Sequence, residues 1–313
     1  IANLIANRKL LRNKFSGAQQ QEDKMDVFKI SVDTQQVHKI TQENFDQVTK
    51  KQAPWYQPIN GHQGWFAVCP ACDNPIQIIG MLERDAPYGK HFFPTAGAVA
   101  VPLKGRVDKE EYEWCPYASK NKHLTRDDRR AAGSELAVLI KQTLIEQFDR
   151  VIYLLEKGTG MRISFALAKQ MLEEYRAAEG WRYRGATRQN IPWVFAYMMQ
   201  AKRLRGRIFF DAKFTEELLT RRPDLTWNAN GQIDIKDDKK FCDLSFSFIR
   251  HRRHVDQHTL SESIEFNIAN SKQETVCKRE IVFEHDYFLK LINSKNEANR
   301  KMNLVDLARS VLA

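Results

Sequence analysis

Trp65-Phe66-Ala67-Val68-Cys69-Pro70-Ala71-Cys72-Asp73-Asn74-Pro75 is the stretch on which the reading of this chain turns. Cys-Pro-x-Cys is the knuckle of a zinc ribbon: its tight turn places two thiolates on one side of an ion, and Zn²⁺ takes them deprotonated in tetrahedral geometry. Trp65 to Val68 leads in as a short strand, and Asp73-Asn74-Pro75 continues the turn. A third sulfur returns with Cys115, followed by Pro116, on the loop after Tyr112-Glu113-Trp114. A second knuckle would put a cysteine where Ala118 stands, so the fourth ligand comes from elsewhere. His91, in Gly89-Lys90-His91-Phe92-Phe93, is the first choice and His123 the second. The alternative is a set of buried, unpaired cysteines, and the returning Cys-Pro weighs against it. A site closed by four protein ligands holds shape and leaves no open position for chemistry.

Around the knuckle, residues 26–125 read as a zinc-binding β module. Val27 to Val32 and Ile76 to Ile79 alternate, and Ala98 to Val101 is a further apolar run. Residues 1–25 read as a short helix followed by an exposed polar linker. Residues 126–313 change character to a basic, helical, nucleic-acid-binding domain. One helical pattern runs from Arg126 to Leu155 and ends at Gly158-Thr159-Gly160; others span Ile163 to Ala178 and Pro192 to Leu204. Asn230-Gly231 signals a hairpin between Leu225-Thr226-Trp227 and Gln232 to Ile235. Leu244 to Ile249 alternates as a strand, and Tyr287 to Leu312 is helical with a charged break after Ser294. The fold class is α+β: an N-terminal zinc-ribbon-like β module, then a mainly helical basic body with a hairpin and a small sheet.

The 313 residues carry 49 Lys and Arg against 39 Asp and Glu, a net charge of +10. A surplus of that size draws polyanions, of which nucleic acid, RNA or DNA, is the commonest. Five cysteines, three of them in the metal pattern, fit a reducing cytoplasm better than a disulfide framework; Cys242 and Cys277 read as core thiols. No stretch has the length of a membrane span, and Arg8, Lys9, Arg12 and Lys14 interrupt any signal-peptide core, so a cytoplasmic protein without membrane contact is expected.

Three clusters suit polyanion contact. Trp181-Arg182-Tyr183-Arg184, continuing to Arg188, interleaves guanidinium groups with rings that could stack on bases. Lys202-Arg203-Leu204-Arg205-Gly206-Arg207 sits at an expected helix end. Arg250-His251-Arg252-Arg253-His254 follows the expected strand. Arginine grips phosphate with a bidentate fork; the plainer reading of each cluster is a solvated charged face.

Arg221-Arg222-Pro223-Asp224 followed across the hairpin by Asp234-Ile235-Lys236 fits a PD…(D/E)xK pattern, in which two carboxylates hold Mg²⁺ and the lysine activates water. Glu135 lies on an earlier helix, where such nucleases often carry another acid. With the Cys-Pro-x-Cys, the His91-Phe92 pair and the later Cys-Pro, the arrangement resembles the competence-protein CoiA-like nucleases. That resemblance, over about residues 65–240, implies a Mg²⁺-dependent nuclease using Glu135, Asp224, Asp234 and Lys236. The helical reading of the segment between Glu135 and Asp224 argues for a plain hairpin instead.

The general layout also resembles the zinc-bearing large subunit of type IV CRISPR effector complexes. It implies a non-enzymatic subunit of a defence ribonucleoprotein, with other protein subunits as partners and a basic region touching guide RNA and target DNA. A binding protein with structural zinc is the favoured expectation, and the nuclease its alternative.

Overall fold

A computed structural model describes residues 24–83, 86–118, 124–237, 241–256, 258–294 and 299–313. The expected N-terminal helix and nearly all of its linker, and His123, lie outside the described residues. The alternating stretch at the start of the module forms only a short strand, β1 (Val27–Phe28), paired with β2 (His38–Lys39). Helix α1 (Gln42–Thr49) follows, capped by the Thr41 hydroxyl, which accepts from the Asn44 amide. Then comes an antiparallel meander of β3 (Tyr56–Ile59), β4 (His62–Val68), β5 (Pro75–Ile79) and β6 (Tyr88–His91). The apolar run 98–101 forms a series of bends rather than a strand. Helix α2 (Lys109–Trp114) closes the module, its first turn capped by Asp108.

The body begins with α3 (Glu135–Glu146) and α4 (Phe148–Thr159), two helices where one pattern was expected, separated at Gln147. Gly160 ends α4 in the left-handed conformation, φ +68°, where a side chain would also meet Asp211. Helix α5 (Phe165–Ala177) follows, capped by Ser164, and then α6 (Ile191–Tyr197). The helix expected to reach Leu204 stops at Tyr197, because Lys202 and Arg203 form β7 on a sheet edge. Helix α7 (Ala212–Arg221) precedes the expected hairpin of β8 (Leu225–Trp227) and β9 (Ile233–Ile235).

The second sheet is larger than the single strand read from the sequence. Strands β10 (Ser245–Asp256), β11 (Thr259–Ala269) and β12 (Thr275–Val282) form an antiparallel meander with β7 at its edge. Helices α8 (His285–Asn293) and α9 (Met302–Leu312) complete the chain. The architecture is α+β, as expected.

Two apolar cores result. One gathers Phe28, Phe45, Ile76, Ile78 and Tyr117 around the cysteines. The other joins α3 to α6, the inner face of the second sheet and α9, with Phe148, Phe195, Phe246, Phe248 and Phe266 at its centre. Each phenylalanine fully removed from water contributes on the order of 2 kcal/mol. The long β10–β11 hairpin links the cores: it starts in the body, and Val255 and Leu260 near its tip pack on the module. No helix among the described residues is long and apolar enough to cross a membrane.

Candidate metal centre and basic surfaces

Cys69, Cys72, His91 and Cys115 converge. One ligand atom from each lies within 4.8 Å of all the others, and all four residues are buried. The Cys69 and Cys115 sulfurs are 3.8 Å apart, and Cys72 Sγ is 3.3 Å from His91 Nε2. The first two ligands come from the β4–β5 turn. There the Cys69 amide donates to the Asn74 carbonyl at 2.8 Å and the Asp73 amide to the Cys69 carbonyl at 3.1 Å. Asp73 takes φ +62°, a conformation tolerated by aspartate and needed to close so tight a turn. His91 ends β6, in register with Ile76 on β5, so sheet pairing fixes its distance from the knuckle. Cys115 caps the C-terminus of α2, its amide bonded to the Tyr112 carbonyl.

A surrounding layer holds these ligands in place. The Asn74 side chain is fully buried; its Nδ2 reaches Cys72 Sγ at 3.4 Å and the Asp108 carbonyl at 2.9 Å, while its oxygen accepts from the Asp108 amide at 2.7 Å. One side chain thereby ties the knuckle to the helix that delivers Cys115. A buried Lys29–Asp73 ion pair braces the turn from the other side. Tyr112 packs edge-on against the His91 ring, with centroids 4.8 Å apart. Burial pushes the Cys69 thiol up, but sulfur contacts from Cys115 and Cys72 and the amides of Cys72 and Ala71 bring it well below the ordinary range. Burial and the neighbouring sulfurs push Cys115 well above it. The cluster can hold a metal ion with four protein ligands, and its closure leaves no position for substrate.

The cluster Trp181 to Arg188 lies between module and body rather than on a free surface. Tyr183 is fully buried. Arg184 is buried against Glu110 and Glu111 of α2 and lies over the Trp114 ring. Arg188 donates to the Val32 carbonyl at 3.0 Å. Arg182 is held by Glu179 and the Arg130 carbonyl, and Trp181 packs on Tyr175 with Lys141 over its ring. Arg130, absent from the sequence reading, is the centre of this contact: its Nε lies 2.9 Å from both Glu111 oxygens. Trp181 and Arg182 pack within the body, whereas Arg130 and Arg184 dock α2 onto the body and Arg188 reaches the module at Val32. Arg253 joins them, donating to the Trp114 carbonyl at 3.2 Å. Lys202 is engaged by Glu174.

The remaining cations lie elsewhere. Arg250 to His254 lies within β10, not after it, and a bulge sorts the residues. Ile249 faces Glu265 and Arg252 faces Ser263, so two residues, Arg250 and His251, stand opposite Ile264. Before the bulge Phe246 and Phe248 point into the core; beyond it His251 and Arg253 point inward, leaving Arg250, Arg252 and His254 outward. Arg203, paired with Ser245, stands on the same outer face, as does Lys278 of β12. Arg250, Arg252 and Lys278 are each more than half exposed, with Glu265 and Glu280 between them. Arg205 is exposed but bonded to Asp234 at 2.7 Å, and Arg207 lies over Phe246.

The acidic residues of the nuclease pattern are not gathered into a metal-holding group; among the described residues the only such group is the Cys₃His cluster. Asp224 is bound by both arms of Arg222 at 2.8 Å, Asp234 by Arg205, and Glu135 by Arg106. Asp234 and Lys236 lie two residues apart at the end of β9, on one side of an ordinary hairpin.

Comparison with family models, with curated proteins and with solved structures finds no match to this chain.

Proposed function

We propose that this chain is a zinc-bearing nucleic-acid-binding subunit. Zn²⁺ is the ion that three thiolates and one imidazole suit best, and four protein ligands make it structural. Its charge would let all three crowded sulfurs ionise together. The observation that carries the binding reading is the outer face of the second sheet. Arg203, Arg250, Arg252 and Lys278 share that side with Ser245 and Ser247, with Glu265 and Glu280 among them, in a chain of net charge +10. Guanidinium and hydroxyl groups on a flat sheet can follow a phosphate backbone without reading its bases. The finer form of the proposal is a subunit of a ribonucleoprotein of the type IV CRISPR kind, supported by the order of a metal module followed by a basic body.

The test is binding of a labelled single-stranded RNA and a DNA duplex by wild type and by the double variant Arg250→Glu, Arg252→Glu, at several salt concentrations. The variant should bind at least tenfold more weakly. Its salt dependence on single strands should be shallower by about 1.4 in log–log slope, roughly 0.7 for each lost phosphate contact. Equal affinity and equal slope would remove the sheet face from the reading.

A further inference from the structure

Between β1–β2 and the start of α8 lies a cleft of about 400 Å³ whose polar groups are not explained by either core. Bonded to His285, which lines it, is Glu262, 1% exposed. The carboxylate is held by His251 Nε2 at 3.2 Å, His285 Nε2 at 2.8 Å and the Asn190 amide at 3.2 Å. Burial opposes its charge, but the bonds from the two histidines hold it well below the usual carboxylate range. His251 is occupied at both nitrogens, because Nδ1 accepts from the Tyr183 hydroxyl at 3.0 Å. Among the described residues His285 is occupied at one only. With Nε2–H given to Glu262, its ring is fixed where it lines the cleft, and Nδ1 is left for something else.

Four other features converge there. Gln189 lines the cleft, is 6% exposed, and its side-chain amide has no hydrogen-bond partner among the described residues. The Tyr117 hydroxyl, also buried and lining the cleft, makes no hydrogen bond among them either. The N-terminus of α8 has no side-chain cap, leaving first-turn amides as donors. Lys290, further along α8, lines the cleft with no carboxylate partner among the described residues. The acidic groups nearby are mostly engaged: Asp26 binds Lys39 and Thr259, and Glu284 binds Lys157. Asp286 alone remains at the rim.

We propose that this cleft binds a small molecule through an oxyanion, phosphate or carboxylate, gripped by Nδ1–H of a doubly protonated His285, by Lys290, by the Gln189 amide and by the α8 N-terminus. A convergence of donors on a helix N-terminus is the chemistry of anion recognition. Glu262 and His251 are positioning residues, since they touch His285 and not the ligand.

Calorimetric titration of the metal-loaded full-length protein decides the matter. It is run at about pH 6 with inorganic phosphate and, separately, succinate. Binding of about one ion per chain is expected for at least one probe; whichever binds identifies the oxyanion class. His285→Gln should weaken binding about tenfold, the worth of one charge-assisted hydrogen bond. Lys290→Met should weaken it severalfold, and Asp286→Asn should tighten it. Arg252→Glu, on the separate sheet face, should leave it unchanged, so this site and the nucleic-acid face stand or fall independently. Lys290 and Asp286 are exposed, so their variants report even if His285→Gln fails to fold. No binding of either ion at about 10 mM, or wild-type affinity in both Lys290→Met and Asp286→Asn, would overturn the proposal.

Discussion

His91 is the residue on which the metal site can be judged. The sequence offered it on adjacency to a knuckle and a Phe-Phe pair, with His123 as the rival. Sheet register is what brings it in: pairing with Ile76 puts it beside the β4–β5 turn, three strands being needed to collect three ligands. The cysteines were legible because a knuckle is local, set by four consecutive residues. The supporting Asn74 was not, because its role depends on Asp108 across 34 positions of chain. His91→Ala should lower bound zinc from about one per chain to well under half, measured by elemental analysis after gel filtration, because a three-ligand site binds far less tightly. Full zinc retention in that variant would mean the fourth ligand is another residue.

At the scale of elements, the helices were easier to read than the sheet. Ser164, Asp211 and Ser134 cap α5, α7 and α3 by local hydrogen bonds, and apolar spacing marks their inner faces. Strand β11 was not read from the sequence although Ser263, Glu265 and Asn267 alternate with Ile264, Phe266 and Ile268. Both of its faces are covered, since residues 262–268 are buried without interruption although four of the seven are polar. Glu262, Glu265 and Ser263 are tolerated there because ion pairs or hydrogen bonds reach them. The bulge in β10 hid the inside from the outside in the Arg250–His254 run, since one extra residue reverses the parity of all that follow. Glu262 offers the test. Glu262→Gln removes a buried charge from between two histidines and should cost on the order of 3 kcal/mol. The sign with pH follows from its depressed native pKa: the stabilisation is complete above the unfolded carboxylate value, about 4.3, and is lost as pH falls below it. Denaturant unfolding should therefore lose stability less steeply below about pH 4 in Glu262→Gln than in wild type. Identical pH slopes would mean that Glu262 is not ionised in the native protein.

For the molecule as a whole, Arg184, Arg188 and Arg253, read from the sequence as phosphate contacts, serve to join its two parts. Composition alone cannot separate an arginine that meets phosphate from one that meets Glu111, because both need the same charge and the same planar fork. The join centres on α2: Arg130 and Arg184 grip Glu111 and Glu110 at its start, Arg253 holds its last carbonyl, and Cys115 anchors its end to the metal cluster. Metal and interface thus act on one six-residue helix too short to persist unaided. Removing the metal should release α2 and the β4–β5 turn while the body core, built from other residues, stays folded. Hydrogen exchange after chelation should then show lost protection at the amides of Cys69, Asp73 and Cys115, with amides in α3 and at Phe266 on β11 keeping theirs. Glu111→Ala should loosen α2 in the metal-loaded protein by breaking the buried pair with Arg130, leaving the knuckle amides protected. If chelation instead unfolds α3 and β11 together with the knuckle, the two cores form one cooperative unit and the metal stabilises the entire chain.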